Sequence, residues 1–281
     1  MDLPKLRAVA IFLVLLLSPE FLNAEETSEA GESSCESTII ASVPSRPTVS
    51  NGTDTTQCGV LELEYGLERQ WQGEGVRNDD FSGGLRFGIT PRLDFHWASA
   101  DFLGVSDAAG THRGFGDTWL GLKYRLSRQS RYVPSFGMFY SAKVPSASAV
   151  LGGSGRVDHA ISVLVSKDVR RLHFDFNVIP QLAGRPGTSG FDHNTGFALS
   201  SSLPLSKRFS LVTEGYGYTA LNSATLAWAS TMAGVTYQVK PRLLLDSGFD
   251  VGVTPYAPRQ RVYFGVTYAV ANLYSRMRPG R

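Results

Sequence analysis

The chain has 281 residues, 42% of them hydrophobic, and a formal net charge of +2. That near-balance argues neither for nor against nucleic acid, and no nucleic-acid module is recognisable. After the first 24 residues no stretch comes near 18 consecutive apolar residues, which excludes a helical membrane protein.

Lys5 and Arg7 precede the apolar run Ala8 to Leu17, and Ser18 to Ala24 supply a polar exit. This pattern predicts a secretory signal peptide over residues 1–24, cut after Ala24. The run is too short to anchor, since a spanning helix needs roughly 20 apolar residues. Residues 25–58 are rich in Glu, Ser, Thr, Pro and Gly. Such a segment buries too little apolar surface to offset its ordering entropy, so it is expected to be a disordered periplasmic leader. Cys35 and Cys58 are the only cysteines, and an oxidising compartment predicts a disulfide between them, two free thiols being the alternative. Their spacing suits no metal.

From residue 59 to 269 the chain alternates apolar with polar residues in twelve short stretches. Leu61, Leu63, Tyr65 and Leu67 alternate with Glu62, Glu64, Gly66 and Glu68. Phe81 to Ile89 and Leu93 to Trp97 form a hairpin about Thr90-Pro91-Arg92, with Arg86, Asp94 and His96 on the polar face. Asp117 to Leu126 places Lys123 and Arg125 opposite Leu120, Leu122 and Tyr124, and Phe136 to Ala142 returns with Lys143 on the polar side. Val157 to Ser166, then Leu172 to Val178 with Asp175, follow the same device. Asn194 to Leu203, Phe209 to Tyr218 with Glu214, Trp228 to Val239, Leu243 to Val253 with Asp246 and Asp250, and Arg261 to Ala269 complete the set. Residues 270–281 form a tail.

Period-two stretches of roughly ten residues and an even strand count are the demands of a closed transmembrane barrel, because lipid satisfies no sheet edge. The predicted fold is all-β, an antiparallel up-and-down transmembrane barrel of twelve strands. Every even-to-odd connection is short, while 101–115, 144–156 and 181–193 are long, matching short periplasmic turns and long external loops. A soluble sandwich has no reason for that alternation. Arg92, Arg128, Arg131, Lys167, Arg170, Arg171, Lys207, Arg208, Lys240 and Arg242 fall in or beside the short turns against Asp168 alone. They predict a basic periplasmic rim, read either as attraction for anionic headgroups or solutes or as soluble turns that resist strand extrusion.

Residues 114–126, GFGDTWLGLKYRL, resemble the Gly-x-Gly-Asp-x-x-Leu-Gly-x-Lys-Tyr-Arg-Leu strand of the bacterial outer-membrane family labelled "MetA-pathway of phenol degradation" or "transporter". The Pro134 to Pro145 and Glu214 strands match as well. The resemblance implies passage of small, often aromatic or hydrophobic, compounds across the outer membrane. Two features depart from that family: no Thr-Gly follows Pro145, and the chain continues past Tyr268 to Arg281. Recognition by the barrel-assembly machinery would then use Tyr268, Tyr274 or neither.

Any chemistry must sit on the polar face, so the lumen-facing candidates are Glu62, Glu64, Arg86, Asp94, His96, Lys123, Arg125, Lys143, Asp175, Glu214, Asp246, Asp250 and Arg261. Opposite charges in a narrow barrel favour an ion-pair ladder over a charged permeation path. The histidines His96, His112, His159, His173 and His193 invite a test for catalysis. Asp158–His159 and Asp192–His193 point to opposite strand faces, while His173 and Asp175 share a face without a nucleophile motif beside them. Gly-x-Ser-x-Gly and His-Glu-x-x-His are absent, so no enzyme is expected. Asp101, Asp107 and Asp117 do not have calcium-loop spacing, and Gly114-Phe115-Gly116 lacks the context of a nucleotide fingerprint. No cofactor is expected. The expected function is a channel or facilitator for small, aromatic or hydrophobic compounds in the outer membrane, with lipids and solutes as partners. The alternative is a structural or adhesive barrel whose lumen is plugged by Trp119, Phe139 and Tyr216.

Overall fold

The computed structural model describes residues 35, 37, 39–151 and 154–276, so the expected signal peptide and leader residues 25–34 lie outside it. One antiparallel sheet contains thirteen strands: β1 (Val60–Trp71), β2 (Arg77–Thr90), β3 (Leu93–Asp107), β4 (Gly110–Gly114), β5 (Thr118–Ser127), β6 (Ser135–Val144), β7 (Asp158–Val169), β8 (Leu172–Gly184), β9 (Phe191–Pro204), β10 (Phe209–Tyr218), β11 (Trp228–Lys240), β12 (Leu243–Gly252) and β13 (Gln260–Asn272). β1 pairs with both β2 and β13, and β2 pairs with β3, so the sheet closes on itself. β4 pairs with β3 alone, which leaves a ring of twelve strands.

β4 corrects the expectation of a loop over 101–115. β3 runs on to Asp107, turns through residues 108–109, and returns as β4 with Leu103 opposite Gly114. The alternation there is diluted by Ala98, Ala100 and Gly104, which hid the strand.

Outward residues are apolar along every strand of the ring. Leu67 is 57% exposed, Leu122 46%, Phe197 46%, Phe249 54% and Phe264 50%. A continuous belt of exposed Leu, Phe and Val would aggregate in water but matches the lipid face of a spanning barrel. Inward residues on the same strands are mostly small, polar or charged, with one buried apolar cluster of Ala198, Val212, Tyr216, Met232 and Tyr263.

The segment expected to be a mobile leader is not so in its described part. Residues 43–56 lie inside the barrel and sweep round the inner wall near the end that carries the short turns. The backbone N–H of Val43 donates to Glu62 (2.7 Å) and that of Ser45 to Glu64 (2.6 Å) on β1. Val49 and Ser50 donate to the two oxygens of Glu214 on β10 at 2.8 and 2.6 Å. Asn51 exchanges a pair of bonds with Asn177 on β8, and Thr53 bonds Ser166 on β7 and Ser135 on β6. Thr56 N–H reaches Asp94 on β3 at 2.6 Å. Composition argued for disorder because it measures apolar burial alone. Here hydrogen bonds to wall side chains, out of competition with water, order the segment instead. Irregular backbone at membrane depth is tolerated because it is enclosed by protein.

A disulfide joins Cys35 to Cys58, so the leader is a closed loop whose two ends meet beside the start of β1. Asn272 Nδ2 bonds the carbonyls of Cys35, Ser37 and Cys58 at 3.2 to 3.4 Å. Residues 270–272, assigned above to the tail, thus complete β13. Tyr274, in the helical turn Leu273–Arg276, caps them with its hydroxyl on Ile89 O. Closing a loop of this size stabilises by about 3 kcal/mol. The Cys35→Ser variant should therefore show faster proteolysis within residues 39–57 than the parent. Equal resistance would mean that the wall contacts alone seat the leader.

Candidate functional site: the lumen and its leader

Each lumen-facing candidate is buried or half-buried on its strand, the polar partner of an apolar neighbour in the alternation. They fall into separate groups, and most of those near the turn end bind the leader as well as one another. Arg86 is 4% exposed and Glu62 0%. The Arg86 guanidinium pairs with Glu62 and with Glu64 (3.2 Å), and also donates to Val43 O and Ser45 Oγ. One guanidinium on β2 thus pairs with two carboxylates on β1, and the leader N–H groups of Val43 and Ser45 supply the remaining donors.

Arg46 occupies a recess whose floor is the register pair Gly66–Gly265. A Cβ at Gly265 would come within 2.3 Å of Arg46 Nε, and one at Gly66 within 2.4 Å of its Nη2. These two glycines exist so that a long side chain can lie flat on the wall and reach Asp246, with Nε 3.3 Å from Oδ2. On the opposite wall Lys123 donates to Gly52 O and Asp54 O, and Arg125 pairs with the Asp54 carboxylate at 3.0 Å. Asp94 bonds His96 at 3.0 Å besides Thr56 N–H.

Two groups lie beyond the leader. Lys143 sits between Asp158 (2.6 Å) and Asp117 (3.3 Å), and Asp117 also accepts the N–H groups of Ser146 and Ala147, pinning the start of the β6–β7 loop. Arg261 pairs with Glu68 (3.1 Å) and with Asp250, which Tyr216 also bonds. Tyr216 packs edge-on to Trp228 with ring centroids 5.7 Å apart. Trp119 and Phe139, which the plugged-barrel alternative sets in the lumen, lie on the inner face: Trp119 is 37% exposed and Phe139 packs on His96.

Between leader and wall lies a cavity of about 210 Å³, bordered on the wall by Ser166, His173, Asp175, Ser202, Ser210 and Thr236. Ser166, His173 and Asp175 come together there, which sequence spacing did not reveal. Ser166 Oγ donates to Asp175 (2.6 Å), and His173 Nε2 lies 3.1 Å from the same oxygen. A hydrolytic triad requires the hydroxyl to face the imidazole. Here the carboxylate stands between them, so the serine has no base. Among the described residues no group of His, Cys, Asp and Glu is arranged to hold a metal ion.

The leader's bonds were invisible in the sequence because their wall partners lie far along the chain, 200 residues away for Arg46 and Asp246. The one available signal was the run of polar residues at positions 43–56 beside a barrel whose inner face carries more acid than base.

Residues 44–270 match the family described as "Putative MetA-pathway of phenol degradation". The chain belongs to this family. The matched range begins at Pro44, so it takes in the lumen-bound part of the leader. Within the family motif at 114–126, Asp117 anchors the β6–β7 loop and Lys123 holds the leader, while Leu120, Leu122 and Tyr124 face lipid.

No curated protein matches the chain in sequence. In fold it is similar to the COG4313 outer membrane channel from Pseudomonas putida F1, with a TM-score of 0.61 at 12% identity over 78% of this chain and 98% of that one. The NanC porin gives 0.54 at 10% identity over 75% and 100%, and the KdgM porin 0.53 at 11% over 75% and 99%. These likenesses place the chain among barrels of the outer-membrane type.

Proposed function

We propose that the protein is an outer-membrane channel, narrowed at its periplasmic end by its own leader, for small neutral solutes of aromatic or hydrophobic character. The observation that carries this is the pairing of the lumen charges: Arg86, Arg125, Lys143, Arg261 and Arg46 each meet a carboxylate. A wall whose charges are satisfied attracts ions weakly, since each ion would have to compete with an existing partner in a low-dielectric space. The aromatic faces of Trp119, Phe139 and Tyr218 beyond the leader provide apolar footing. The name of the family, with its reference to phenol degradation, and the channel named as such among the structural neighbours support the same reading. Export by a cleaved signal peptide and insertion by the barrel-assembly machinery belong to this proposal, as does the absence of a catalytic role.

The leader favours one second reading, a barrel closed to solutes with a structural role. Liposomes containing the full chain separate the two. Phenol uptake faster than in protein-free liposomes, with low and unselective ion conductance, is the expected result. Uptake equal to that of protein-free liposomes, together with no conductance, would establish the closed barrel.

A further inference from the structure

We infer that the rim formed by the short turns is a docking surface for the anionic phospholipid headgroups of the leaflet that faces it. Arg92, Arg128, Arg131, Arg170, Arg171, Lys207, Arg208, Lys240 and Arg242 are all exposed on this rim. The turns contain one carboxylate, Asp168, and it is engaged by His173 and Gln129. At the opposite end of the strands the charges are mixed, with Asp79 on Arg69, Asp192 on Arg185, and Asp117 and Asp158 on Lys143. The basic excess is therefore confined to one end of the barrel.

Lys167 and Arg171 are positioned by contacts that leave their charge intact. Lys167 Nζ donates to the carbonyls of Ser130 and Arg131 in the neighbouring turn, and Arg171 donates to Pro204 O (2.8 Å) in the next. Neutral carbonyl acceptors tie turn to turn without cancelling positive charge. Among the described residues the side chains of Lys207, Arg208, Lys240 and Arg242 meet no carboxylate.

The occupant follows from what the rim borders. Directly outward of these turns lie aromatic and apolar residues of the lipid belt: Phe209 stacks near Tyr237 with centroids 4.6 Å apart, Phe136 and Leu126 are exposed, and Tyr132 is 70% exposed beneath Arg131. Aromatic side chains mark the headgroup level of a bilayer, so cations one residue further along the chain stand at the height of phosphates. A cationic ring at that level gains from an anionic leaflet, with the gain falling off within a Debye length. A soluble acidic protein would not need the adjoining apolar belt.

The test is lipid co-purification. The full chain is reconstituted into vesicles of phosphatidylcholine with phosphatidylglycerol, extracted gently, and its retained lipids quantified by mass spectrometry. The expected result is retention of phosphatidylglycerol over phosphatidylcholine by about tenfold relative to the vesicle, suppressed by high salt. In the K207Q/R208Q/K240Q/R242Q variant most of that preference should be lost. Circular dichroism and heat-modifiable migration, measured alongside, show whether the variant is folded. The four substituted side chains make none of the lumen contacts, the leader meeting these turns through the backbone carbonyl of Pro241, so a fold failure in phosphatidylcholine alone would count against the barrel reading and not against the rim. No preference in the parent, or one that survives in the folded variant, would overturn the inference.

Discussion

Removing residues 39–57, with Cys35 and Cys58 changed to serine, is expected to raise single-channel conductance several-fold and make the pore cation-selective. The direction follows from what the leader covers. In its absence Glu62, Glu64, Asp94, Asp175, Glu214 and Asp246 would face water, against Arg86, Lys123 and Arg125. Six carboxylates against three fixed cations leave the wall negative. Arg46 and Asp54 depart together and do not alter that balance. The gain in conductance comes from clearing the cross-section near the turns, where the leader bonds strands from β1 round to β3. Planar-bilayer recording with a salt gradient reads both effects, since reversal potential gives selectivity. Conductance unchanged by the excision would place the constriction at the Arg261, Asp250 and Tyr216 group instead.

Arg86→Met is expected to be the most damaging single substitution in the lumen. The guanidinium serves two carboxylates, a leader carbonyl and a leader hydroxyl at a site with 4% exposure. Its loss leaves Glu62 and Glu64 facing each other without compensation. Breaking a buried pair from one side costs about 3 to 5 kcal/mol. The double variant Glu62→Gln with Arg86→Met should recover part of that loss, because an amide needs no counter-charge and still accepts the Val43 N–H. Urea unfolding of the protein in lipid vesicles checks both statements. A double variant no more stable than Arg86→Met would show that the cost comes from lost packing and not from unpaired charge.

The contrast between these two sites and the lipid face shows how far the residues could be read unaided. The inward position of Glu214 or Asp250 follows from parity along a strand, as does the outward position of Phe249. Strand ends are less legible: Ala98 and Ala100 belong to either face on hydropathy, so β3 looked finished at Trp97. Ser166 looked like one polar residue among many, and only the pairing of β7 with β8 sets it against Asp175.

Period-two alternation, turn parity and two cysteines in an oxidising setting are local properties. They therefore determined by themselves the closed barrel, which face meets lipid, and which end carries the basic turns. Which charges meet was decided by tertiary structure alone. Arg46 and Asp246 are 200 residues apart, and Asn51 and Asn177 are 126 apart. The leader's order rests on such pairs. Its residues bury little apolar surface, so no composition rule detects them, yet inside a lumen sheltered from water each backbone N–H that finds a carboxylate is held there.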